Sequence, residues 1–335
     1  MALNSIGDLA QGFVLRARNT ALKQSLTRLG DEVASGRVAD PVARLGGHLS
    51  YLSRIEHDLT VSASYATGAK EVQIAATAMQ ASLERVGEVS TGLVETLSLA
   101  STAAGPGDIS TVVADARGAL DSVISALNTS AAGRHLFSGV AVDTAPLPPA
   151  EDLLAGLRAA MAPALSPSDA LAAADSFFDP GGGFETLIYQ GATDSLAPVQ
   201  LGAGESADID LRADHAALRD TMKTIAVAAL VDDPGLSLTT TGRRGLFGDL
   251  LNGLLTAKDA QVAVQADLGF AEERIARAHT RIEAEMTTLR MARNELLAVD
   301  PYEAATEMEA VQLQLETLYT VTARSSRLNL VNFLS

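Results

Sequence analysis

The sequence contains no cysteine and no tryptophan, and aromatic residues make up only 4% of its 335 residues. The absence of cysteine excludes disulfides, thiolate metal sites and cysteine nucleophiles. With so few aromatic residues, a core must consist mostly of Leu, Val, Ile and Ala, which favours long packed helices over compact β-barrels. Basic residues are also scarce, since 25 Lys and Arg stand against 41 Asp and Glu. The net charge of −16 argues against a nucleic-acid partner, because phosphate contact needs a positive surface.

Long apolar runs, targeting signals and catalytic motifs are also missing. No uncharged apolar run approaches the ~20 residues that span a bilayer, so no membrane insertion is expected. The first residues lack a basic segment, an apolar stretch and a small-residue cleavage site, so we expect any export to proceed without a cleaved signal peptide. Motifs of phosphate-binding loops, zinc proteases and serine hydrolases are absent from the sequence. We therefore predict a protein that is not an enzyme and uses no cofactor and no metal.

Acidic residues and helix-breaking residues concentrate in the middle of the chain. Residues 141–235 contain fifteen acidic and four basic residues, a net charge of −11, and eight of the eleven prolines. This change of composition predicts a small, separate mixed α/β, β-rich unit inserted between two helical arms. If the unit is separate, the arms should pair without it. An acidic surface of this kind most often keeps a protein soluble.

Within the middle unit, Ala-rich stretches indicate helices, whereas runs of apolar residues that alternate with polar ones indicate strands. The triplet Gly202-Ala203-Gly204 indicates a hairpin turn between the last two strands. The predicted helices cover 152–161 and 168–176, and the predicted strands cover 184–190, 197–201 and 207–212.

An apolar stripe at helical spacing marks the N-terminal arm. Its members lie four, three and four residues apart: Leu22, Leu26, Leu29 and Val33. Gly36 then supplies a helix stop, and Asp40 followed by Pro41 predicts a new helix with Asp40 as its N-cap. The stripe residues that follow, from Leu45 to Leu59 and from Val72 to Leu97, recur at spacings of three and four, which is typical of a coiled-coil seam and predicts one helix over about 41–103.

The C-terminal arm carries similar stripes. The first is spaced mostly three or four residues apart and comprises Leu268, Ala271, Ile275, Ala278, Ile282, Met286, Leu289 and Leu296. Asp300 and Pro301 repeat the signal for a helix start. The stripe of the last helix comprises Met308, Val311, Leu315 and Leu318. Together the patterns predict a mainly α fold with long antiparallel, coiled-coil-like helical arms from both chain ends.

Residues at both ends resemble the flagellin superfamily. The segment 32–37, followed by Asp40-Pro41, is similar to that superfamily's first helix end and its Asp-Pro entry to the next helix. At the C-terminus, the segments 300–305, 312–316 and 328–334 are similar to its Asp-Pro start, glutamine-rich helix and Leu-rich tail. Two shorter elements resemble the hook-associated protein 3 family, the hook–filament junction proteins: Gly133-Arg134-His135-Leu136-Phe137-Ser138-Gly139 and Tyr189-Gln190-Gly191.

The resemblance implies a structural subunit of the bacterial flagellum that forms the junction between hook and filament. It implies an extracellular location in the flagellum and export through the flagellar type III route. The implied partners are hook-associated protein 1, flagellin, further copies of the chain in a ring, and a cytoplasmic export chaperone that binds the C-terminal helix. The assembly and partner interface would comprise Leu22, Leu26, Leu29, Val33, Met308, Val311, Leu315, Leu318, Leu328 and Leu330.

Two alternatives remain open. Flagellin itself, the filament subunit, shares the terminal patterns, and a binding module that uses the acidic middle domain belongs to a different class. The sequence disfavours the binding module, because no set of convergent nucleophile, base or ligand residues is visible.

The resemblance also implies five segments. These are 1–40, the N-terminal helix of an inner tube domain; 41–140, the first half of a helical arm domain; 141–235, the acidic outer domain; 236–299, the second half of the arm; and 300–335, the C-terminal helix of the inner tube domain.

Overall fold

The computed structural model describes residues 3–103, 106–236 and 238–334, and it describes the side chains of 10–102, 108–236 and 238–324. Long helices dominate, so the mainly α fold predicted from the sequence is confirmed. The helices are α1 (Leu3–Ser35), α2 (Pro41–Arg44), α3 (Ser50–Ala103), α4 (Pro106–Leu127), α5 (Ala150–Met161), α6 (Pro167–Phe178), α7 (Ala216–Leu230), α8 (Thr240–Leu297) and α9 (Pro301–Leu334).

The chain forms two compact units. One contains the residues up to Ala63 together with those from Ala284, and the other is Ser64–Glu283. We refer to the first as the terminal unit and to the second as the central unit. The five segments expected from the sequence stay a prediction.

The helix predicted over 41–103 is interrupted. Helix α2 ends at Arg44 and α3 begins at Ser50, with Gly46 and Gly47 between them at φ +56° and +82°. These values lie in the left-handed region that glycine adopts without strain, and such residues end helices. Leu45 and Leu49 are nevertheless half-buried, so the apolar spacing continues across the break and conceals it from a reading of the sequence.

The central unit holds the main hydrophobic core. The predicted stripe on α3 is confirmed, because its members from 76 to 97 are buried: Ala76, Met79, Leu83, Val86, Ser90, Leu93 and Leu97. Helix α7 packs against α4, and its residues 224–230 are all buried. Residues of α5 and α6 belong to the same core, as do Leu246, Phe247 and Leu250 of α8.

The middle segment 141–235 therefore shares its core with the helices that precede and follow it. Its two predicted helices are confirmed as α5 and α6. Its predicted β-rich character is wrong, because within the described residues its strands are limited to β3 (Val199–Gly202) and β4 (Glu205–Ala207). Helix α7, which the sequence analysis did not predict, lies in the same segment.

The strand predicted at 184–190 is wrong. Phe184–Ile188 forms a short π-helix, in which Phe184 and Ile188 are buried and Leu187 is exposed. Two apolar residues four positions apart share a helical face, whereas a strand would place them on one face together with the residue between them. Phe184 also stacks on Phe178, with ring centroids 5.0 Å apart, which fixes the short helix against α6.

The predicted hairpin is present, but its second strand is Glu205–Ala207, so the strand predicted over 207–212 is wrong beyond Ala207. Val199 pairs with Ala207 and Gln200 with Ser206, and Gly204 adopts φ +79° in the turn. Leu201 and Ala207 form a small second cluster with residues of α3 and α8: Ala69, Ile275 and Ala278. The hairpin thus covers the seam of these two helices, and half-buried Ile209 packs against both this cluster and the main core.

A second hairpin follows α4. Its strands are β1 (Ser130–Ala131) and β2 (Arg134–His135), paired antiparallel.

Candidate functional site

The terminal unit is built around an antiparallel pair formed by α1 and α9. Leu29 of α1 and Ala304 at the start of α9 line the same shallow cleft. Farther along, Asn19 and Lys23 of α1 reach Tyr319 of α9, and the hydrogen bond with Asn19 lowers the pKa of the Tyr319 hydroxyl. Because lower numbers on α1 lie opposite higher numbers on α9, the two helices run in opposite directions.

The predicted interface residues divide between a buried seam and its margins. Leu29, Leu315 and Leu318 are buried, with 2%, 6% and 9% of their surface exposed. Four more predicted residues are half-buried: Leu22, Leu26, Met308 and Val311. Val33 is exposed, and Leu328 and Leu330 lie outside the residues whose side chains are described. The structure therefore brings several predicted residues together as an intramolecular seam, which uses only one face of each helix.

Large apolar side chains also lie on the other faces of the pair. We call this set the outward apolar residues: Phe13, Val14, Leu313 and Val321. Phe13 is 68% exposed and Leu313 is 65% exposed. Exposed apolar side chains leave unfavourable contact with water when a partner covers them. The sequence analysis missed them because it followed one stripe per helix, although an apolar residue off the stripe was a readable signal.

The seam itself is thin. Among the described side chains of α1 only Leu29 and Glu32 are buried, and among those of α9 only Ala304, Leu315 and Leu318 are. Helices gain most of their stability in proteins from packing of an apolar face, so a pair with so little burial is only weakly held by its own chain.

One linker, residues 36–40, follows α1, and a second, residues 298–300, precedes α9. Backbone hydrogen bonds hold these two segments together. The N–H of Val38 donates to the carbonyl of Leu297 at 2.9 Å, and the N–H of Val299 donates to Gly36 at 3.2 Å. Gly36 itself adopts φ +67°, which lets the chain leave α1 in this direction. The pairing holds the end of α1 beside the start of α9.

Carboxylates organise the same linkers. Buried Glu32 pairs with Arg28 at 3.1 Å and accepts a hydrogen bond from the Ala39 N–H at 3.0 Å. Asp40 caps α2 as predicted, since its side chain accepts from the N–H groups of Val42 and Ala43. The Asp300 side chain accepts from Tyr302 N–H at 2.8 Å, so the predicted start of the last helix is also confirmed.

The two shorter family-like elements meet in the central unit. The N–H of Ala192, directly after Tyr189-Gln190-Gly191, donates to the Ser138 carbonyl at 2.9 Å. Gly139 has φ +61°, and a side chain there would collide with the carbonyl of Asp194. The two elements thus pack closely against each other. This close packing explains their small residues without a catalytic or binding role.

Tyr189 is the aromatic residue at the contact between these two elements. Its hydroxyl donates to the Ala192 carbonyl at 3.0 Å, and burial raises the pKa of Tyr189 to about 12. Arg212 lies beside it and forms ion pairs with Asp210 and Asp214, both at 3.0 Å. Two of the acidic residues of the middle segment therefore form ion pairs with a basic residue.

Within the part of the chain that the structure describes, no group of three or more His, Asp or Glu residues has a metal-binding arrangement. None of the described helices is long and apolar enough to cross a membrane.

Comparison with known proteins links the C-terminal part of the chain to flagellar proteins. Residues 254–334 match the family model of the bacterial flagellin C-terminal helical region, whereas no curated protein sequence matches the chain. A crystal structure of FlgL from Bacillus cereus superposes with a TM-score of 0.52 at 15% identity, covering 72% of this chain and 98% of that chain. A protein of Vibrio parahaemolyticus described as flagellar hook-associated gives a TM-score of 0.42 at 15% identity, covering 75% and 98%. The chain thus has the fold of FlgL and matches flagellin over its C-terminal helical region.

Proposed function

We propose that the chain is a structural subunit of the bacterial flagellum, located at the junction between hook and filament. The observation that carries the proposal is the terminal helix pair, which buries one thin seam and leaves Phe13 and Leu313 exposed. Such a pair is completed by neighbours, as in a helical assembly. The match of residues 254–334 to flagellin, the fold of FlgL, a hook-associated protein 3, and the two family-like elements support this role.

The proposed partners follow from that position. Copies of the chain form a ring, hook-associated protein 1 lies on the hook side and flagellin on the filament side. A cytoplasmic chaperone binds α9 before export through the flagellar type III route, and the chain functions outside the cell. We assign no catalytic activity to the chain.

The interface of this assembly comprises the predicted stripe residues together with the outward apolar residues. In the free chain, Leu315 is engaged with α1 while Leu313 is not buried. We therefore assign the contacts between chains first to Leu313 and the other outward apolar residues, and the buried and half-buried stripe residues to the pairing of α1 with α9.

Flagellin is the second candidate, because the matched family model describes the flagellin C-terminal region. A binding module in the acidic segment is the third. Removal of the gene separates the first two: without a junction protein, cells keep hooks and release flagellin into the medium, whereas without flagellin they release none.

The decisive experiment complements a gene deletion with two matched variants. Leu313→Asp places a charge on the proposed interface, and Gln314→Asp places the same charge at the neighbouring exposed residue. We expect Leu313→Asp to leave cells with bare hooks and secreted flagellin, because burying an unpaired carboxylate in an interface is strongly unfavourable. Gln314→Asp should restore filaments. Full complementation by Leu313→Asp would contradict the proposed interface, and a deletion strain with normal filaments would contradict the proposed role.

A further inference from the structure

Helix α8 carries a buried stripe with one polar member. From Leu254 to Ile282 the stripe positions alternate at spacings of three and four: Leu254, Ala257, Gln261, Val264, Leu268, Ala271, Ile275, Ala278 and Ile282. Gln261 is only 1% exposed, and it is the one polar side chain among them. A polar residue at a core position of a heptad pattern lowers stability but restricts which register and partner the helices accept.

Gln261 makes a specific contact with α3. Its Nε2 donates to the carbonyl oxygen of Leu83 at 2.6 Å. The carbonyl is accessible because Gly87, one turn farther along α3, has no side chain; a Cβ there would lie 3.3 Å from Nε2. The glutamine on α8 and the glycine on α3 therefore fit each other at one relative position of the two helices.

Two further polar contacts flank this one. Lys258 Nζ donates to Thr91 Oγ1 at 2.8 Å, and Thr77 Oγ1 donates to Glu272 Oε1 at 3.0 Å. The pairs join residues 167 to 195 positions apart in the sequence. No short loop therefore sets the register of α3 and α8, in contrast to adjacent antiparallel helices whose short connections do so.

A shift of one heptad would place apolar stripe residues against apolar stripe residues again. It would move Gln261 away from Gly87, to the level of Gln80 or Val94, which carry side chains where Gly87 has none. The Oε1 atom of Gln261 is buried without a hydrogen-bond partner among the described residues, so an apolar residue at 261 would avoid a desolvation cost. Gln261 is thus better suited to selecting one register than to strengthening the packing.

We propose that Gln261 and Gly87 form a register lock that fixes the axial position of α8 against α3 in the central unit. The lock operates when the chain folds, because two helices far apart in sequence must find one alignment among several that their apolar stripes permit. It is independent of the proposed role in the flagellum.

The absence of cysteine allows a direct test by spin labelling. Cysteines introduced as Glu84→Cys on α3 and Ala263→Cys on α8, both exposed positions, report the distance between the helices by pulsed electron spin resonance. This labelled chain is compared with versions that also carry Gln261→Leu or, as the matched control, Gln265→Leu, which lies off the stripe and is half-buried.

We expect one narrow distance in the parent chain and in the Gln265→Leu variant. The Gln261→Leu variant should show an added component at longer distance, because an axial shift of seven helical residues, about 10 Å, adds at right angles to the lateral separation of the two labels. Its thermal midpoint should be equal to or above that of the parent. A single narrow distance in Gln261→Leu would overturn the proposal, and so would a clear fall of its midpoint, because Gln261 would then be an ordinary stabilising contact.

Gly87→Ala provides a second variant that keeps the glutamine. The added methyl group crowds Nε2, so the same shifted component should appear at lower population. An unchanged distance distribution in this variant would show that Gly87 does not contribute to the register of the two helices.

Discussion

Helices α1 and α9 of the terminal unit, with 33 and 34 residues, are longer than α4 and α7 of the central unit, with 22 and 15, but fewer of their described apolar side chains are buried. In the central unit, α4 and α7 pack directly on each other, and Leu120, Val123 and Ile225 are fully buried. In the terminal unit, α1 has one buried apolar residue among its described side chains, Leu29, and α9 has three. Helix length alone therefore does not indicate stability. The central unit is stabilised by its own core, whereas the described residues of α1 and α9 pack on each other through a thin seam.

The largest predicted effect comes from removing the middle segment. Deletion of 145–230 with a short Gly/Ser bridge would remove α5, α6 and α7, and with them much of the core around α4. We expect the deletion to abolish cooperative unfolding of the central unit, as measured by urea titration with circular dichroism. This reverses the expectation that the arms pair without the middle. A truncated chain that still unfolds cooperatively would show that the arms are sufficient.

A single substitution in the core of the central unit should have a smaller effect on its stability than the deletion. Phe247→Ala empties a fully buried position of the central unit and should lower its free energy of unfolding by about 3–5 kcal/mol. Phe270→Ala, on the same helix but 70% exposed, is the matched control and should change it by less than about 0.5 kcal/mol. Equal effects of the two variants in urea denaturation would contradict the assignment of the core.

Leu29→Ala tests the thin seam of the terminal unit. Because few neighbours surround Leu29, we expect a loss near the low end of the usual range, about 2 kcal/mol, confined to the α1–α9 pair. Limited proteolysis should cut 10–35 and 301–324 faster while the central unit stays resistant. Val33→Ala, at an exposed position of the same helix, is the control and should leave the cleavage rate unchanged. Faster cleavage of the central unit by Leu29→Ala would show that the two units are not independent.

The smallest predicted effect is a pH dependence located in the central unit. Burial raises the pKa of Tyr189 from 10.0 to about 12, so between these values the unfolded chain releases a proton that the folded chain retains. The contribution of Tyr189 is complete below pH 10 and is lost as the pH rises towards 12. Tyr189→Phe should flatten this part of the stability curve, measured as urea midpoints at about pH 9 and about pH 11. If the stability of both proteins changes equally with pH, the pH dependence does not arise from Tyr189.

The elements that the sequence predicted well are those with strong local signals. The stripe from Ala76 to Leu97 repeats at helical spacing over many turns, and the Asp-Pro pairs at 40 and 300 combine a capping side chain with a residue suited to the first turn. Such features depend on neighbours a few positions away, so the sequence displays them directly.

The elements it missed depend on distant residues. Helix α7 is apolar on every face from Ile225 to Leu230, so this part has no periodic stripe, and only its burial among other helices explains it. The π-helix at 184 depends on the stacking of Phe184 against Phe178. The apolar stripes of α1 and α9 were predicted and were assigned to an assembly and partner interface, but the outward apolar residues were not predicted, because their role depends on the partner that covers them.

Hydrogen exchange at single-residue resolution tests the central claim most directly. The amides of 10–35 and 301–324 are measured in the free chain and in purified hook–filament junctions, with α4 and α7 as the internal reference. The account predicts weak protection of the terminal helices in the free chain, strong protection of them in the assembly, and little change in α4 and α7. Terminal helices that are as protected as α7 in the free chain would contradict it, because the pair would then be complete without neighbours.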